Sequence, residues 1–274
     1  MSTTVPTSFI QLYEAEVKAA YQREGAMLRN AVRQRQQVGA ERIYFPKLGK
    51  GHATSKARHA DVVPMNLEHT RVFADMSDYY APEYIDDLDQ AKINWSLRAD
   101  YANASAWALG RQTDSLILEA ANQTSNELSA ATLDSGGSGA LTQGVISGVS
   151  QAMTENDVPL DRRRWAIITP ETLSELQAIE GVTSSDFALE KILVSGKEPA
   201  FWMGFNWMVH TGISDIDPDA KGFFWHQPAM GHGVCRDVTT SVDWVAQKVA
   251  WLVNSWMSMG STIIDEDGVF KLTE

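Results

Sequence analysis

VPLDRRRWAIITPETLSEL, residues 158–176, holds the local chemistry that decides how this chain folds. Trp165 to Ile168 form a short apolar run that reads as a buried strand. Thr169 then offers a side-chain oxygen to cap a helix, and Pro170 suits the first helical position, where a backbone N–H has no partner to lose. Glu171 favours the positive end of the helix dipole. The expected unit is strand, sharp turn, helix. Arg162, Arg163 and Arg164 stand immediately before it. They precede the strand rather than cap a glycine loop, and guanidinium forks suit carboxylates within the domain or on a neighbouring subunit as well as they suit a free anion. We expect them to be architectural.

Working outward, downstream strands are expected at FWMGFNWMV (Phe201–Val209) and GFFWH (Gly222–His226). A long strand in which Val249, Trp251, Val253, Met257 and Met259 alternate follows, then a DEDG turn and a terminal strand VFKL. Upstream, a helix is expected over Gln143–Glu155, after the flexible break DSGGSG at Asp134–Gly139. Ser96 to Ala131 is free of proline and rich in alanine; as one helix it would be about 50 Å long. Gly110 is its weak point, costing up to about 1 kcal/mol relative to alanine. Pro82 with Asp86, Asp87 and Asp89 suits the start of a helix.

Between Arg42 and Tyr80, strand-like ends at Ile43–Phe45 and His69–Ala74 flank a middle rich in Gly, Lys and His. That is a long two-stranded excursion, only marginally stable alone. From Ser8 to about Gln37, Phe9, Leu12, Tyr13, Val17, Ala20, Tyr21, Leu28, Ala31 and Val32 follow the spacing of an amphipathic helix, and Ser8 with Gln11 resembles a capping box. Its apolar stripe is narrow, as in an arm that docks on another part of an assembly.

The totals agree with a folded, cytoplasmic protein. With 274 residues, 44% of them hydrophobic, the chain can bury a sizeable core. Acidic residues outnumber basic ones 35 to 23, a net charge of -12, which argues against a surface built to wrap nucleic acid. The balance is uneven: residues 1–60 carry ten Lys and Arg against four Glu, and the remainder carries 13 against 31. A basic leading segment on an acidic body suits a chain that crosses onto another copy. The single cysteine, Cys235, excludes an internal disulfide framework, and neither a signal peptide nor a membrane span is legible.

Chemistry is hard to find. His226, His232 and Cys235 in WHQPAMGHGVC lack the paired short spacings of zinc sites and read better as residues packed near a sheet edge; a metal-dependent hydrolase is the alternative they leave open. His52, His59 and His69 lie irregularly in the excursion. No serine elbow, Walker loop or dinucleotide-binding glycine pattern occurs, and Asp86–Asp87 and Asp265–Asp267 fall where acids are common for structural reasons. No cofactor or metal is expected. Trp202 and Trp207, beside Met203 and Met208, exceed what one small core needs and are candidate subunit contacts.

Taken in order, YYAPEYIDDLDQ leading into ALGRQTDSLILEA, then VPLDRRRWAIITPETLSEL, then GFFWHQPAMGHGV with GSTIIDEDGVFKL, resemble the major capsid proteins of tailed bacteriophages with the Hong Kong 97 fold. The resemblance implies an α+β fold: an N-terminal arm (1–40), an extended β-hairpin loop (41–80), a peripheral domain with a long spine helix (81–142 and 238–274) and an axial domain (143–237). It implies a non-enzymatic shell protein that associates as pentamers and hexamers into an icosahedral capsid around double-stranded DNA, without sequence-specific binding. The implied setting is a virion assembled in the bacterial host cytoplasm, with separate scaffolding, portal and decoration proteins as partners. Some relatives cross-link through an extended-loop lysine; Lys47, Lys50 and Lys56 lie there and are candidate contacts, though none matches a cross-linking motif. An encapsulin-like nanocompartment shares the fold and is the nearest alternative. On this reading, reversing the charges of Arg163 and Arg164 should disturb particle formation and leave the subunit folded.

Overall fold

A computed structural model describes residues 26–86, 97–134, 136–137, 139–179 and 201–274. Two sheets share one long helix. The first sheet has the strand order β1-β9-β10-β4, with β1 at Arg33–Gln36, β4 at Ser77–Asp86, β9 at Met230–Val245 and β10 at Ala250–Ile263. β10 runs antiparallel to both of its neighbours, and β1 lies parallel to β9. The second sheet has the order β5-β11-β8-β6-β7: Glu127–Ser129, Val269–Thr273, Ala220–His226, Arg164–Ile168 and Asn206–Val209. A separate antiparallel pair, β2 (Arg42–Leu48) and β3 (His69–Asp75), forms the expected excursion.

Alternation along the second sheet explains how it is covered on both sides. Ala166, Ile168, Phe224 and Phe270 face the helices at Gln143–Glu155 and Pro170–Ala178, through Val145, Ile146, Val149, Met153 and Leu176. Ile167, Phe223, Trp225 and Val269 face the other way, onto Ile117, Leu118 and Ala121 of the long helix Leu97–Asn122 and onto Leu28 and Ala31. Strands buried on both faces read as continuous apolar runs, which is why AII and GFFW show no polar alternation. Each such side chain contributes roughly 1.5–3 kcal/mol when fully buried. Further toward its N-terminus the same helix lies on the first sheet, where Leu109 packs with Val234, Met257 and Met259. We number the helices α1 (Leu97–Asn122), α2 (Ala130–Leu133), α3 (Gln143–Glu155), α4 (Pro170–Ala178) and α5 (Ile213–Ile216).

The strand-turn-helix unit forms as its sequence dictates: Thr169 accepts a hydrogen bond from the Thr172 N–H at 3.1 Å and Pro170 opens α4. Four expectations are corrected. Pro82 does not begin a helix; it lies inside β4, the edge strand of its sheet, where a missing N–H is tolerated. The long helix ends at Asn122 rather than Ala131, because the chain turns there into β5 and α2; its 26 residues span about 39 Å. The arm helix does not continue to Gln37: Leu28–Ala31 form a single 3-10 turn and Arg33–Gln36 a strand on β9, while the rest of that expectation lies outside the described residues. Of Phe201–Val209 only the second half is strand, preceded by a tight bridge between Trp202 and Phe205.

Candidate assembly surfaces

The three arginines divide. Arg164 opens β6 on the face shared by Ala166 and Ile168, so its side chain points into the core and is fully buried. Its guanidinium ties the last turns of α3 to the loop behind it: Nε donates to the Pro159 carbonyl at 3.1 Å and Nη2 to the Val158 carbonyl at 2.5 Å, both in the loop, while Nη2 also reaches the Thr154 hydroxyl of α3 at 3.2 Å and Nη1 Ser150 at 3.4 Å. Carbonyls at a helix C-terminus lack intrahelical partners and carry partial negative charge, so a cation is favoured there. Burial pushes the Arg164 pKa down, with the Asp161 charge working in the opposite direction. This bracing is internal, and the expectation of a folded subunit after charge reversal fails at this position: a glutamate would be buried among carbonyl oxygens. Arg163 is exposed, 3.7 Å from Asp161. Arg162, exposed and in left-handed backbone geometry (φ 64), lies over the Phe201 ring at 5.4 Å.

The tryptophans divide likewise. Trp207 is buried against Phe205 and Phe224, and its indole N–H donates to the Trp202 carbonyl at 3.0 Å; Trp202 is only half-buried. Trp207 therefore belongs to the core.

The excursion is seated on glycine. Ile43, Phe45 and Ala74 at its root form a small apolar cluster with Ile264. Gly233 on β9 faces Gly260 on β10, and Gly231 lies two residues away. A Cβ at Gly231 would stand 3.0 Å from the Phe45 ring, one at Gly233 3.0 Å from Ile43 Cδ1, and one at Gly260 would run into the Asp75 carbonyl oxygen. Further out, Lys47 pairs with Asp265 at 2.8 Å and Lys50 with Asp157 at 2.9 Å. The hydrogen bond and charge of Asp157 hold the Lys50 pKa above its ordinary value. Lys56 lies in the exposed stretch beyond.

The root of the arm is clipped from many sides. The Ala26 N–H donates to the Gly110 carbonyl of α1 at 2.9 Å, and the fully buried Asp114 carboxylate accepts from the Met27 and Leu28 N–H groups at 3.2 and 3.0 Å. His210 Nε2 lies 3.5 Å from the same carboxylate. Trp225 Nε1 donates to the Ala31 carbonyl, and Arg29 forks onto Asp237. No sequence spacing announces this clip, since its members are scattered over most of the chain. The glycine seat left one signal, the i, i+2 pair in MGHGV, which places two missing side chains on one face of a strand.

The possible metal ligands do not converge. His226 Nε2 bonds Asp161 at 3.0 Å, buried His232 bonds Ser261 at 2.9 Å, and Cys235 is partly exposed. Among the described residues no group of three or more His, Cys, Asp or Glu could hold a metal ion, and no helix is long and apolar enough to cross a membrane. Burial works against the Asp161 charge, yet hydrogen bonds from His226 and the Arg163 N–H bring its pKa below the ordinary carboxylate value.

Residues 5–274 match the family model described as phage capsid protein. The chain belongs to the phage capsid protein family. Solved structures agree in fold across nearly the whole subunit. The capsid of cyanophage P-SCSP1u is similar with a TM-score of 0.73 at 15% identity, covering 99% of each chain. Mycobacterium phage Che8 gives 0.69 at 14% identity over 92% of each chain. The capsid of Ralstonia phage GP4 gives 0.66 at 12% identity over 93% of this chain and 92% of that one. No curated protein matches the sequence. The capsid protein thus has the α+β fold of tailed-phage shells. It is a structural protein rather than an enzyme, its place is the virion, and its family sets aside both the nanocompartment and the hydrolase.

Proposed function

We propose that this capsid protein associates as pentamers and hexamers and closes an icosahedral shell around the double-stranded DNA of a tailed phage. Assembly takes place in the host cytoplasm, with scaffolding, portal and decoration proteins supplied as separate chains. In this reading residues 1–40 are the arm, 41–80 the extended loop, 81–142 with 238–274 the peripheral domain and 143–237 the axial domain. Strands β5 and β11 are then the places where peripheral segments reach into the axial sheet. Exposed Arg162, Arg163 and Lys56, half-buried Trp202, and the ion-paired Lys47 and Lys50 are the candidate contact residues that still present surface. The acidic excess of the body keeps packaged DNA from adhering to the inner wall, since phosphates repel it.

The observation that carries this reading is the match to the capsid family from residue 5 to residue 274. A marginal hairpin held at its root, and contacts spread over several chains, suit a shell whose individual interfaces remain weak enough to correct errors. The test is expression of the full chain alone and with its phage neighbours, followed by sedimentation and negative-stain microscopy. Capsomers or closed particles are expected. A compact monomer at high concentration in both preparations would overturn the proposal.

A further inference from the structure

The hairpin of β2 and β3 is attached to the body in two physically different ways. Its root is apolar and sterically matched: Ile43, Phe45 and Ala74 are buried, and Gly231, Gly233 and Gly260 leave the room that Phe45, Ile43 and the Asp75 carbonyl occupy. Shape-matched apolar contact of this kind is insensitive to salt. The outer attachment is ionic. Lys47 Nζ lies 2.8 Å from Asp265, in the turn before β11, and Lys50 Nζ lies 2.9 Å from Asp157, in the loop after α3. Asp267 adds a third carboxylate near Lys50. Side chains of the Lys50 pair are 66% and 78% exposed, so water and salt screen them. Beyond Lys50, residues 51–66 are exposed throughout.

We propose that the hairpin is a strap with a fixed root and a salt-releasable latch, the latch being the two lysines of β2 and its continuation held by Asp157 and Asp265 of the same chain. The root sets where the strap leaves the sheet, and the latch sets its direction. Because the two attachments differ in kind, the strap can change direction while the root stays seated. A cation presented by a second copy competes for the same two aspartates and turns release into a step of association. The latch is a property of the single chain and stands whether or not the chain forms shells.

The experiment places spin labels at Ala57→Cys and Gln151→Cys in full-length protein carrying Cys235→Ser, diluted into unlabelled chain so that only distances within one chain are read. At low salt a narrow docked distance should dominate, and it should give way to a broad distribution near 1 M NaCl, where the screening length is about 3 Å. Asp157→Lys with Asp265→Lys should lower the docked-to-released ratio roughly five-fold at low salt. Adding Lys47→Asp and Lys50→Asp should bring the narrow distance back. An unchanged distribution in the double variant at low salt, with circular dichroism like that of the parent, would overturn the latch. So would a narrow distance that persists unaltered in high salt.

Discussion

Replacing Arg164 with methionine keeps most of the apolar volume and removes the guanidinium. The Val158 and Pro159 carbonyls, which belong to a half-buried and an exposed residue, then lose their charged donor, at about 1 kcal/mol for each hydrogen bond lost. The end of α3 also loses the cation that offsets its partial negative charge, worth up to about 2 kcal/mol where partly buried. Against this, the variant no longer desolvates a charge, the same burial that depresses the Arg164 pKa. A net loss of about 3 kcal/mol follows, a large part of the 5–15 kcal/mol that typically holds a domain together. Urea unfolding of unassembled subunits should show a lower midpoint at an unchanged slope. The thermal midpoint should fall by roughly 6–12 °C. Arg163→Glu, at the exposed position immediately before Arg164, should stay within about 0.5 kcal/mol of the parent, so any defect it causes belongs to association. If Arg164→Met unfolds within about 1 kcal/mol of wild type, the claim that this arginine braces α3 is refuted.

Gly260→Ala should push the hairpin root off its seat, since the new methyl collides with the Asp75 carbonyl; a loss of about 1–3 kcal/mol is expected from overpacking, with faster hydrogen exchange at residues 43–48 as the readout. His232 is buried, and burial together with the Arg29 charge lowers its pKa from 6.5 to about 4. Folding therefore favours the neutral ring: its contribution is intact above about pH 6.5 and disappears as pH falls towards 4, an acid sensitivity of up to roughly 3 kcal/mol. His232→Gln should flatten the stability profile over that window in denaturant titrations, and an unaltered profile would show that the ring does not titrate with unfolding.

What could be read beforehand was chemistry confined to a few neighbouring residues. Thr169 and Pro170 cap and open a helix by rules that need no tertiary partner, and the alternation in β10 needs only a buried face. The errors lie where distant segments decide. Pro82 with its acidic neighbours has the local pattern of a helix start, but pairing with β10 makes it an edge strand. The three-to-four spacing through Leu28 and Val32 continues that of the arm, yet Asp114 and β9 impose a turn and a strand. Arg162, Arg163 and Arg164 are indistinguishable in composition; which one enters the core depends on the register of β6 against β8. Composition makes Trp207 a candidate subunit contact, whereas its burial against Phe205 and Phe224 depends on β7 and β8 being assembled around β6.

The strand pairings join residues 33–36 to 231–234, 77–86 to 250–259 and 127–129 to 271–273. Neither large sheet can therefore close until nearly all of the polypeptide has left the ribosome, and non-local pairing of this kind is slow. Newly made chains spend that interval with apolar strands bare and prone to clump. Heat during biosynthesis should thus cut the yield of usable protein at temperatures that finished particles endure, so lesions found in genetic screens should fall mostly on maturation of the nascent chain.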